Sequence, residues 1–149
     1  MDEVYSKILD FIAHKPRSRG EVIDKLDSYN LKKSLKEEIL KNLISNKYIN
    51  DEEYIKTYLE GLIRSGKPIS IRKIKENLIK HKISIEKYST LLKFPEDFEK
   101  NNCIKQAEKK LKSLTKEKSM FVKKQKLKKY LYYKGYSLSI INSVVDFLL

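Results

Sequence analysis

The sequence contains little of several residue types on which whole classes of protein depend. Its 149 residues include one cysteine, Cys103, two histidines, no tryptophan, four glycines and three prolines. A single cysteine excludes a disulfide framework and a thiolate metal cluster, and it is typical of a reducing compartment. So few glycines and prolines exclude collagen-like, linker-like and turn-rich all-β chains. No apolar run approaches the roughly 18 residues of a transmembrane helix, so we expect a soluble chain without a membrane anchor or secretion signal.

Positive charge, by contrast, is abundant and unevenly placed. Lysine and arginine number 33 against 20 aspartate and glutamate residues, which gives a formal net charge of +13. Residues 1–50 and 51–100 each carry a net charge of +2, whereas residues 101–149 carry +9, with twelve lysines against three acidic residues. This asymmetry indicates a polyanionic partner that is contacted mainly through the last third of the chain. The alternative is that lysine simply fills solvated helix faces, which does not explain the asymmetry.

A threefold repeat of about 50 residues runs through the sequence. Leu26, Leu78 and Leu131 lie 52 and 53 residues apart, and each is followed five positions later by an apolar residue. Four residues before each leucine is another apolar residue, and Pro16 and Pro68 are also 52 residues apart. Because a single short unit cannot bury a hydrophobic face alone, such repeats stack on their neighbours. We therefore predict an all-α fold of three tandem three-helix repeats in an elongated, curved array, with boundaries at residues 1–49, 50–96 and 97–149.

Cap signals and helical spacing of apolar residues place the individual helices. Ser18 with Glu21, and Ser34 with Glu37, are capping-box patterns, and Asn50 is a further N-cap candidate. In the second repeat we predict helices over 70–81 and 84–94. In the third we predict helices over 98–115, 119–134 and from 137 to the end. Gly135 occupies the position after a helix where a left-handed backbone is common, and Asn30 and Lys82 take its place in the other repeats.

The chain offers little to an enzyme. Nucleophilic catalysis needs a serine or cysteine beside a histidine and an orienting acid, and His14 and His81 are isolated in the sequence. Cys103 reads as a small buried hydrophobe, and the acidic run 51–53 reads as first-turn helix carboxylates rather than metal ligands. We therefore expect no catalytic activity, no metal and no cofactor.

Binding is better supported, through lysines that are interleaved with tyrosines in the second helix of the third repeat. Lysines release counterions from phosphates, and exposed tyrosines stack on unpaired bases. We expect Tyr136 to be core, because it matches Leu31 and Ile83, and we expect Tyr132 and Tyr133 to be the exposed tyrosines. The candidate binding residues are Lys123, Lys124, Lys126, Lys128, Lys129, Tyr132, Tyr133 and Lys134, with Lys15, Arg17 and Arg19 in the first repeat and Lys67, Arg72 and Lys73 in the second.

Repetition of these basic groups at equivalent points predicts a stripe that suits a long partner. Within the third group, we expect Lys123, Lys124 and Lys128 to point outward, away from Leu127 and Leu131.

Several motifs resemble those of the RecX family of recombinase regulators. Residues 16–26 resemble the family's first-repeat run, in which an Arg-Ser pair precedes a glutamate and a Lys-Leu. Residues 47–54 resemble its Gly-Tyr-hydrophobic-Asp-Asp-x-x-Phe junction, which is the most specific element. Residues 71–78 and 127–137 resemble its second-repeat segment and its third-repeat ending. Tyr54 stands where the family has phenylalanine, Lys47 stands for glycine, and most of the family's arginines are lysines here.

The resemblance covers essentially the whole chain and implies a function. RecX proteins are non-enzymatic and bind the filament that the RecA recombinase forms on DNA. They lie in its groove and restrain strand exchange, ATP hydrolysis and the stimulation of repressor self-cleavage. The resemblance thus implies a cytoplasmic regulator of DNA recombination, DNA repair and the SOS response. We expect a monomer that also binds single- or double-stranded DNA weakly through its basic face. The alternative is an autonomous nucleic-acid-binding helical module.

Overall fold

The computed structural model describes residues 2–149, and these residues form eight α-helices and one short 3-10 helix without any strand. The α-helices are α1 (Asp2–His14), α2 (Arg19–Asp27), α3 (Lys33–Ser45), α4 (Asp51–Ser65), α5 (Ile71–Lys80), α6 (Phe98–Ser113), α7 (Met120–Tyr133) and α8 (Leu138–Leu148). The 3-10 helix covers Ser89–Leu91. The all-α prediction is confirmed.

The predicted helix over 84–94 is wrong. The segment instead forms successive turns, with backbone hydrogen bonds from Leu91 to Tyr88 (2.9 Å) and from Leu92 to Ser89 (3.1 Å) that lead into and through the 3-10 helix. Serine and threonine at 89 and 90 compete for backbone hydrogen bonds in the middle of the segment. Pro95 disfavours helical backbone in the residue before it, so too few residues remain to repay nucleation. The described residues therefore hold eight α-helices where nine helices are predicted.

The chain divides into two compact units. The first comprises Met1–Gly61 and Leu78–Leu92, and its core is a buried cluster of Ile8, Val22, Leu26, Ile39, Leu43 and Ile49. The second comprises Leu62–Asn77 and Lys93–Leu149. Its core is a cluster on α6, α7 and α8 made of Cys103, Ala107, Leu114, Leu127, Leu131, Tyr136, Ile141, Val144 and Val145. Each core is formed by three successive helices whose apolar residues recur at helical spacing.

Two of the three predicted caps are confirmed. The Ser18 hydroxyl accepts a hydrogen bond from the Glu21 backbone N–H, and the Glu21 carboxylate accepts one from Ser18 N–H, which completes a capping box for α2. Asn50 Oδ1 accepts from the Glu53 N–H (3.2 Å) at the start of α4. The Ser34 cap is wrong, because α3 begins at Lys33 and Ser34 therefore lies inside its first turn.

The N-terminus of α2 makes a close joint with residues much later in the first unit. We call this set, Ser18, Arg19, Gly20, Asp51, His81 and Lys82, the first joint. Ser18 donates its hydroxyl proton to the His81 backbone carbonyl, and the Arg19 N–H donates to Asp51 Oδ1 (2.8 Å). Gly20 lies so close to Lys82 that an added Cβ would be 2.4 Å from the Lys82 Cβ. The start of one helix is therefore held by the end of another.

The same arrangement recurs in the second unit, at the N-terminus of α5. We call this set, Ser70, Ile71, Arg72, Glu99, Lys134 and Gly135, the second joint. Ser70 donates to the Lys134 carbonyl (2.8 Å), and Glu99 accepts a hydrogen bond from the Ile71 N–H. A Cβ added at Gly135 would be 2.5 Å from Ser70 Oγ. The serine, helix-start and close-approach positions of the two joints are each 52 or 53 residues apart, so a three-dimensional contact follows the sequence repeat.

Left-handed backbone occurs where the sequence predicts it. Gly135 has φ +97°, and Asn30 and Lys82 at the equivalent positions have φ +52° and +65°. After α7 the Tyr136 N–H bonds to the Leu131 carbonyl (3.3 Å) and after α5 the Ile83 N–H bonds to the Leu78 carbonyl (3.0 Å), as in a Schellman motif. Lys47, which replaces a family glycine, also has positive φ, at +61°.

Candidate interaction surface

Helix α7 and its C-cap residue Lys134 carry eight of the fourteen predicted binding residues. Ser119 begins it as N-cap, with its hydroxyl accepting from the Val122 N–H (3.2 Å), and the turn through Gly135 ends it. Leu127 and Leu131 are fully buried against α6 and α8 and fix the rotation of the helix about its axis. Tyr136 is 2% exposed and its hydroxyl donates to Gln106 on α6, so its predicted core role is confirmed. Burial raises the pKa of the Tyr136 hydroxyl.

The outer face of α7 is basic and aromatic. Lys126 and Lys129 are exposed, and Tyr132 and Tyr133 are 53% and 71% exposed. The two rings form an edge-on pair with centroids 6.1 Å apart. Lys129 precedes these tyrosines by three and four residues, so one helical turn presents a cation beside two ring surfaces. The prediction that both tyrosines are exposed is confirmed.

The prediction that Lys123, Lys124 and Lys128 form the outward set is wrong. These three side chains are half-buried, whereas Lys126, Lys129 and Lys134 are the exposed lysines of the helix and its C-cap. Lys123 and Lys124 precede Leu127 by four and three residues and Lys128 precedes Leu131 by three, so each shares a helix face with a buried leucine.

Internal contacts neutralise little of this charge. Lys126 Nζ lies 3.1 Å from Glu117 Oε2, and its hydrogen bond, together with one from the Ser119 N–H, lowers the pKa of the Glu117 carboxyl. Lys134 Nζ lies 5.4 Å from the centroid of the Tyr130 ring. Residues 120–133 contain five lysines and no acidic residue. The outer face of α7 therefore keeps a strong positive potential, which attracts polyanions and is screened by salt.

The basic group predicted at the α1–α2 junction lies in the first unit and is only partly free. Lys15 is exposed. Arg17 is half-buried, with its guanidinium carbon 3.8 Å from the Phe11 ring centroid and its Nε donating to the Phe11 carbonyl (3.0 Å). Arg19 is exposed and lines a cavity of about 380 Å³ that Lys47 and Lys87 also line.

The basic group predicted before and within α5 lies in the second unit. Lys67 is exposed in the segment before the helix. Arg72 Nε lies 3.1 Å from Glu76 Oε1, and Lys73 Nζ lies 3.8 Å from Glu76 Oε2. Exposed pairs of this kind hold their partners weakly, so both cations stay accessible to a stronger anion. The proposed continuity of all three basic groups in one stripe stays a prediction.

The motif residues turn out to be largely structural. Ser18, Gly20 and Asp51, which carry much of the family resemblance, belong to the first joint, and Gly135 belongs to the second. Asp51 is a first-turn carboxylate, as predicted, but its hydrogen-bond donor is the first residue of α2 rather than its own helix. Sequence reasoning missed this contact because its partners are 32 residues apart.

The other polar and thiol side chains of interest are built into the fold. Cys103 is fully buried, as predicted, and burial raises the pKa of its thiol to about 12. Asn102, also buried, donates to the Ile69 carbonyl (3.0 Å). Across residues 2–149, no three histidine, cysteine or acidic side chains are grouped as metal ligands would be. No helix in the same range combines the length and the apolar character needed to cross a membrane.

Taken together, the repeated helix joints and the basic, aromatic face of α7 define a helical repeat protein with a positively charged surface. Residues 98–145, which span most of α6 to α8, match the family described as RecX, third three-helix domain. The chain is 31% identical over 138 residues to the regulatory protein RecX of Listeria welshimeri, which covers 89% of this chain and 49% of that protein. It is 26% identical over 154 residues to the RecX of Bacillus cytotoxicus, which covers 98% of this chain and 54% of that protein.

Solved structures agree with these relatives. The crystal structure of RecX from Lactobacillus salivarius superimposes with a TM-score of 0.83 at 28% identity, over 99% of this chain and 95% of that one. A second crystal structure of a regulatory protein RecX gives a TM-score of 0.81 at 23% identity, over 97% of this chain and 71% of that one, and shows the shared fold. The chain belongs to the RecX family of regulatory proteins. It spans about half the length of the curated relatives it matches.

Proposed function

We propose that this chain binds the filament of the RecA recombinase on DNA and restrains its recombinase, ATPase and coprotease activities. Such a role belongs to DNA recombination, DNA repair and the SOS response in the cytoplasm. It is supported by the membership of the RecX family and by relatives that are named regulatory proteins. The proposal includes no catalytic step by this chain itself.

The observation that carries the proposal is the outer face of α7. Lys126, Lys129 and Lys134 present positive charge to solvent, and Tyr132 and Tyr133 present ring surface beside it. A filament of protein on DNA is a long polyanion, so charge attraction brings the two together while exposed rings add contact area. Five lysines on one helix with no acidic residue repel one another, so this charge pattern does not stabilise the fold and requires another explanation.

Binding to DNA alone and to the assembled filament separates the proposal from its main rival. The chain is titrated against labelled single-stranded DNA with and without recombinase and nucleotide, at about 150 mM salt. We expect weak and steeply salt-dependent binding to DNA alone, because counterion release dominates there. We expect binding to the filament to be tighter by more than about tenfold, which corresponds to about 1.4 kcal/mol. Equal affinity for DNA and filament contradicts the proposal.

The rival function is an autonomous nucleic-acid-binding module, and one observation favours it. The edge-on pair of Tyr132 and Tyr133 beside Lys129 has the composition of a surface that stacks unpaired bases. Base stacking contributes about 1–3 kcal/mol per base and tolerates any sequence. In that case Tyr133→Ala weakens binding to single-stranded DNA alone as much as binding to the filament.

A charge variant of α7 tests the surface itself. Lys126, Lys129 and Lys134 are changed together to glutamine, which removes charge but keeps length and helix propensity. The matched control changes the exposed lysines of α6, Lys105, Lys109 and Lys112, to glutamine. Both variants lose three charges from the same unit. We expect the α7 variant alone to lose about tenfold or more in filament affinity. Equal losses in the two variants place the effect in net charge rather than in α7.

A further inference from the structure

A row of alternating cations and aromatic rings crosses the surface of α1, α2 and the turn after α2. Lys7 Nζ lies 5.9 Å from the Tyr29 ring centroid, and Lys25 Nζ lies 5.8 Å from the same ring. Lys25 Nζ is also 5.5 Å from the Phe11 ring centroid, and the Arg17 guanidinium is 3.8 Å from it. We call these five residues, Lys7, Tyr29, Lys25, Phe11 and Arg17, the cation–aromatic ladder. All of them belong to the first unit.

The fold holds the ladder in place. Phe11 and Tyr29 are half-buried and pack against the first core cluster, so their ring positions are fixed by the core. Arg17 is fixed further by the bond from its Nε to the Phe11 carbonyl. Cations held over rings lose less freedom when a ligand binds than free lysines do. Because the ring faces are already covered by cations, the ladder offers charge rather than a stacking surface.

Beside the ladder lies an open hollow of about 400 Å³, which is lined by Phe11, Glu21, Asp24, Lys25, Ser28, Lys80 and Lys82. Its two acids are already engaged. Glu21 accepts from the Ser18 N–H (3.0 Å) and lies 3.3 Å from His81, and Asp24 lies 3.7 Å from Lys82. In the part of the chain that the structure describes, Lys25 and Lys80 have no carboxylate within ion-pair distance, whereas Lys7 of the ladder forms an exposed pair with Glu3 (3.4 Å), which holds it weakly. The hollow therefore keeps an excess of positive charge.

We propose that the cation–aromatic ladder and Lys80 bind the phosphodiester backbone of a nucleic acid. A row of cations that share rings matches a line of regularly spaced charges better than it matches a single carboxylate. Covered ring faces leave nothing with which to stack on bases, so this contact is independent of sequence. The site is separate from α7, and the proposal stands whether or not the recombinase is the protein partner.

The test measures DNA binding by the full chain in the absence of recombinase. Lys7, Lys25 and Lys80 are changed together to glutamine, and the exposed lysines Lys33, Lys41 and Lys56 of the same unit are changed in a matched control. Arg17 is left unchanged because it supports the fold. Affinities for single- and double-stranded oligonucleotides are measured from 50 to 300 mM salt. The slope of log K against log salt is negative, and each lost phosphate contact reduces its magnitude by about 0.7 for single strands and 0.9 for duplexes.

In the ladder variant we expect the magnitude of the salt slope on single strands to fall by about 2 and the affinity at 50 mM salt to fall at least threefold. The control variant should keep the wild-type slope. An unchanged slope in the ladder variant overturns the proposal. So does a variant that binds DNA normally but loses filament binding, because the ladder then faces protein. Loss of slope without any loss of filament regulation supports the proposal and leaves the proposed function to be judged separately.

A second measurement uses the unchanged protein and so does not depend on how the variants fold. Lysines are acetylated with and without bound oligonucleotide, and the modified positions are quantified by mass spectrometry. We expect at least threefold protection of Lys25 and Lys80 by DNA, with Lys41 as the unprotected reference. Protection confined to the lysines of α7 overturns the proposal.

Discussion

The first and second joints make the same close contact between the start of one helix and the end of another. The glycine lies at the helix start in the first joint and after the helix end in the second. In the first joint the glycine is Gly20, in the first turn of α2, and the residue with left-handed backbone that faces it is Lys82. In the second joint the left-handed residue is the glycine, Gly135, and Arg72 occupies the first turn of α5. Both joints keep the serine that donates to the facing carbonyl.

This difference teaches that the fold requires close approach rather than a glycine at a set position. In the first joint the missing Cβ of Gly20 makes room for the Lys82 Cβ, which would be 2.4 Å away. In the second joint the missing Cβ of Gly135 makes room for Ser70 Oγ, and Arg72 Cβ is at an ordinary 3.6 Å. One glycine per joint is enough, and the other side can carry a side chain.

The leucines beneath the two joints give the largest expected effect. The backbone carbonyls of Leu78 and Leu131 accept the hydrogen bonds that close the turns at the two joints. The leucines are 1% and 0% exposed, as the repeat predicts. Each change to alanine should cost about 2–5 kcal/mol, because a buried side chain is replaced by a cavity. Chemical denaturation measures both losses. A loss below about 1 kcal/mol at either position would show that the two joints are not supported alike.

Substitutions at the two glycines test the difference between the joints more selectively. Gly20→Ala should cost about 1–3 kcal/mol through overpacking against Lys82, and adding Lys82→Gly should restore most of it. Gly135→Ala should cost about 2–3 kcal/mol, from left-handed backbone and the close Ser70 hydroxyl. Here Arg72→Gly should restore nothing, since Arg72 is not the obstacle. Rescue in both joints, or in neither, contradicts the packing described.

The two serines should behave alike. The Ser70 hydroxyl accepts from the Lys73 N–H (3.1 Å) and so caps α5, as Ser18 caps α2. Ser18→Ala and Ser70→Ala each remove this cap and leave a backbone carbonyl without its donor, so each should cost about 1–3 kcal/mol. Ser34→Ala serves as the control, because Ser34 lies within α3 and caps nothing. Thermal unfolding of the three variants checks this. A loss for Ser34→Ala as large as for Ser18→Ala would remove the special role of the joint serines.

Acid should act in opposite directions on Glu21, which contacts Ser18 and His81 of the first joint, and on Glu99 of the second joint, with the smallest effect of the series. Burial raises the pKa of the Glu21 carboxyl, but hydrogen bonds from Ser18 and its contact with His81 outweigh that effect, so the pKa lies below its usual value. Glu21 therefore stabilises the fold above its unfolded pKa of about 4.3, and this contribution is lost as the pH falls through the folded value.

Burial instead raises the pKa of Glu99, against a hydrogen bond from Ile71 and the charge of Lys75. Its contribution is therefore present below the unfolded pKa and lost as the pH rises through the folded value. The free energy of unfolding of Glu21→Gln and Glu99→Gln, measured from pH 3 to 7, should differ from wild type with opposite slopes. Slopes of the same sign would contradict the described environments.

The sequence predicted contacts that repeat locally and missed those that join distant segments. The Ser18 capping box was predictable because it lies within one helical turn. The leucine period and the left-handed positions at Asn30, Lys82 and Gly135 were predictable because the same pattern recurs in each repeat. The bond from Ser18 to the His81 carbonyl joins residues 63 apart, so no spacing rule finds it.

The site shows the same limit. Exposed Tyr132 and Tyr133 and buried Tyr136 were predictable by comparing repeats. The outward lysines were not chosen correctly, because Lys123 and Lys124 share the face of Leu127 once helical rotation is followed strictly. Among the contacting pairs of the cation–aromatic ladder, only Lys25 and Tyr29 are close in sequence, four residues apart. Phe11 meets Lys25 and Arg17 through packing, and so does Lys7 with Tyr29.

ATP hydrolysis by a recombinase filament on single-stranded DNA tests the central claim most directly. The wild-type chain should lower the steady-state rate with increasing concentration. The variant with glutamine at Lys126, Lys129 and Lys134 should need about tenfold more protein for the same effect, and the α6 control variant should match wild type. Unchanged hydrolysis with the wild-type chain, or equal inhibition by wild type and the α7 variant, would contradict a regulator that acts through the outer face of α7.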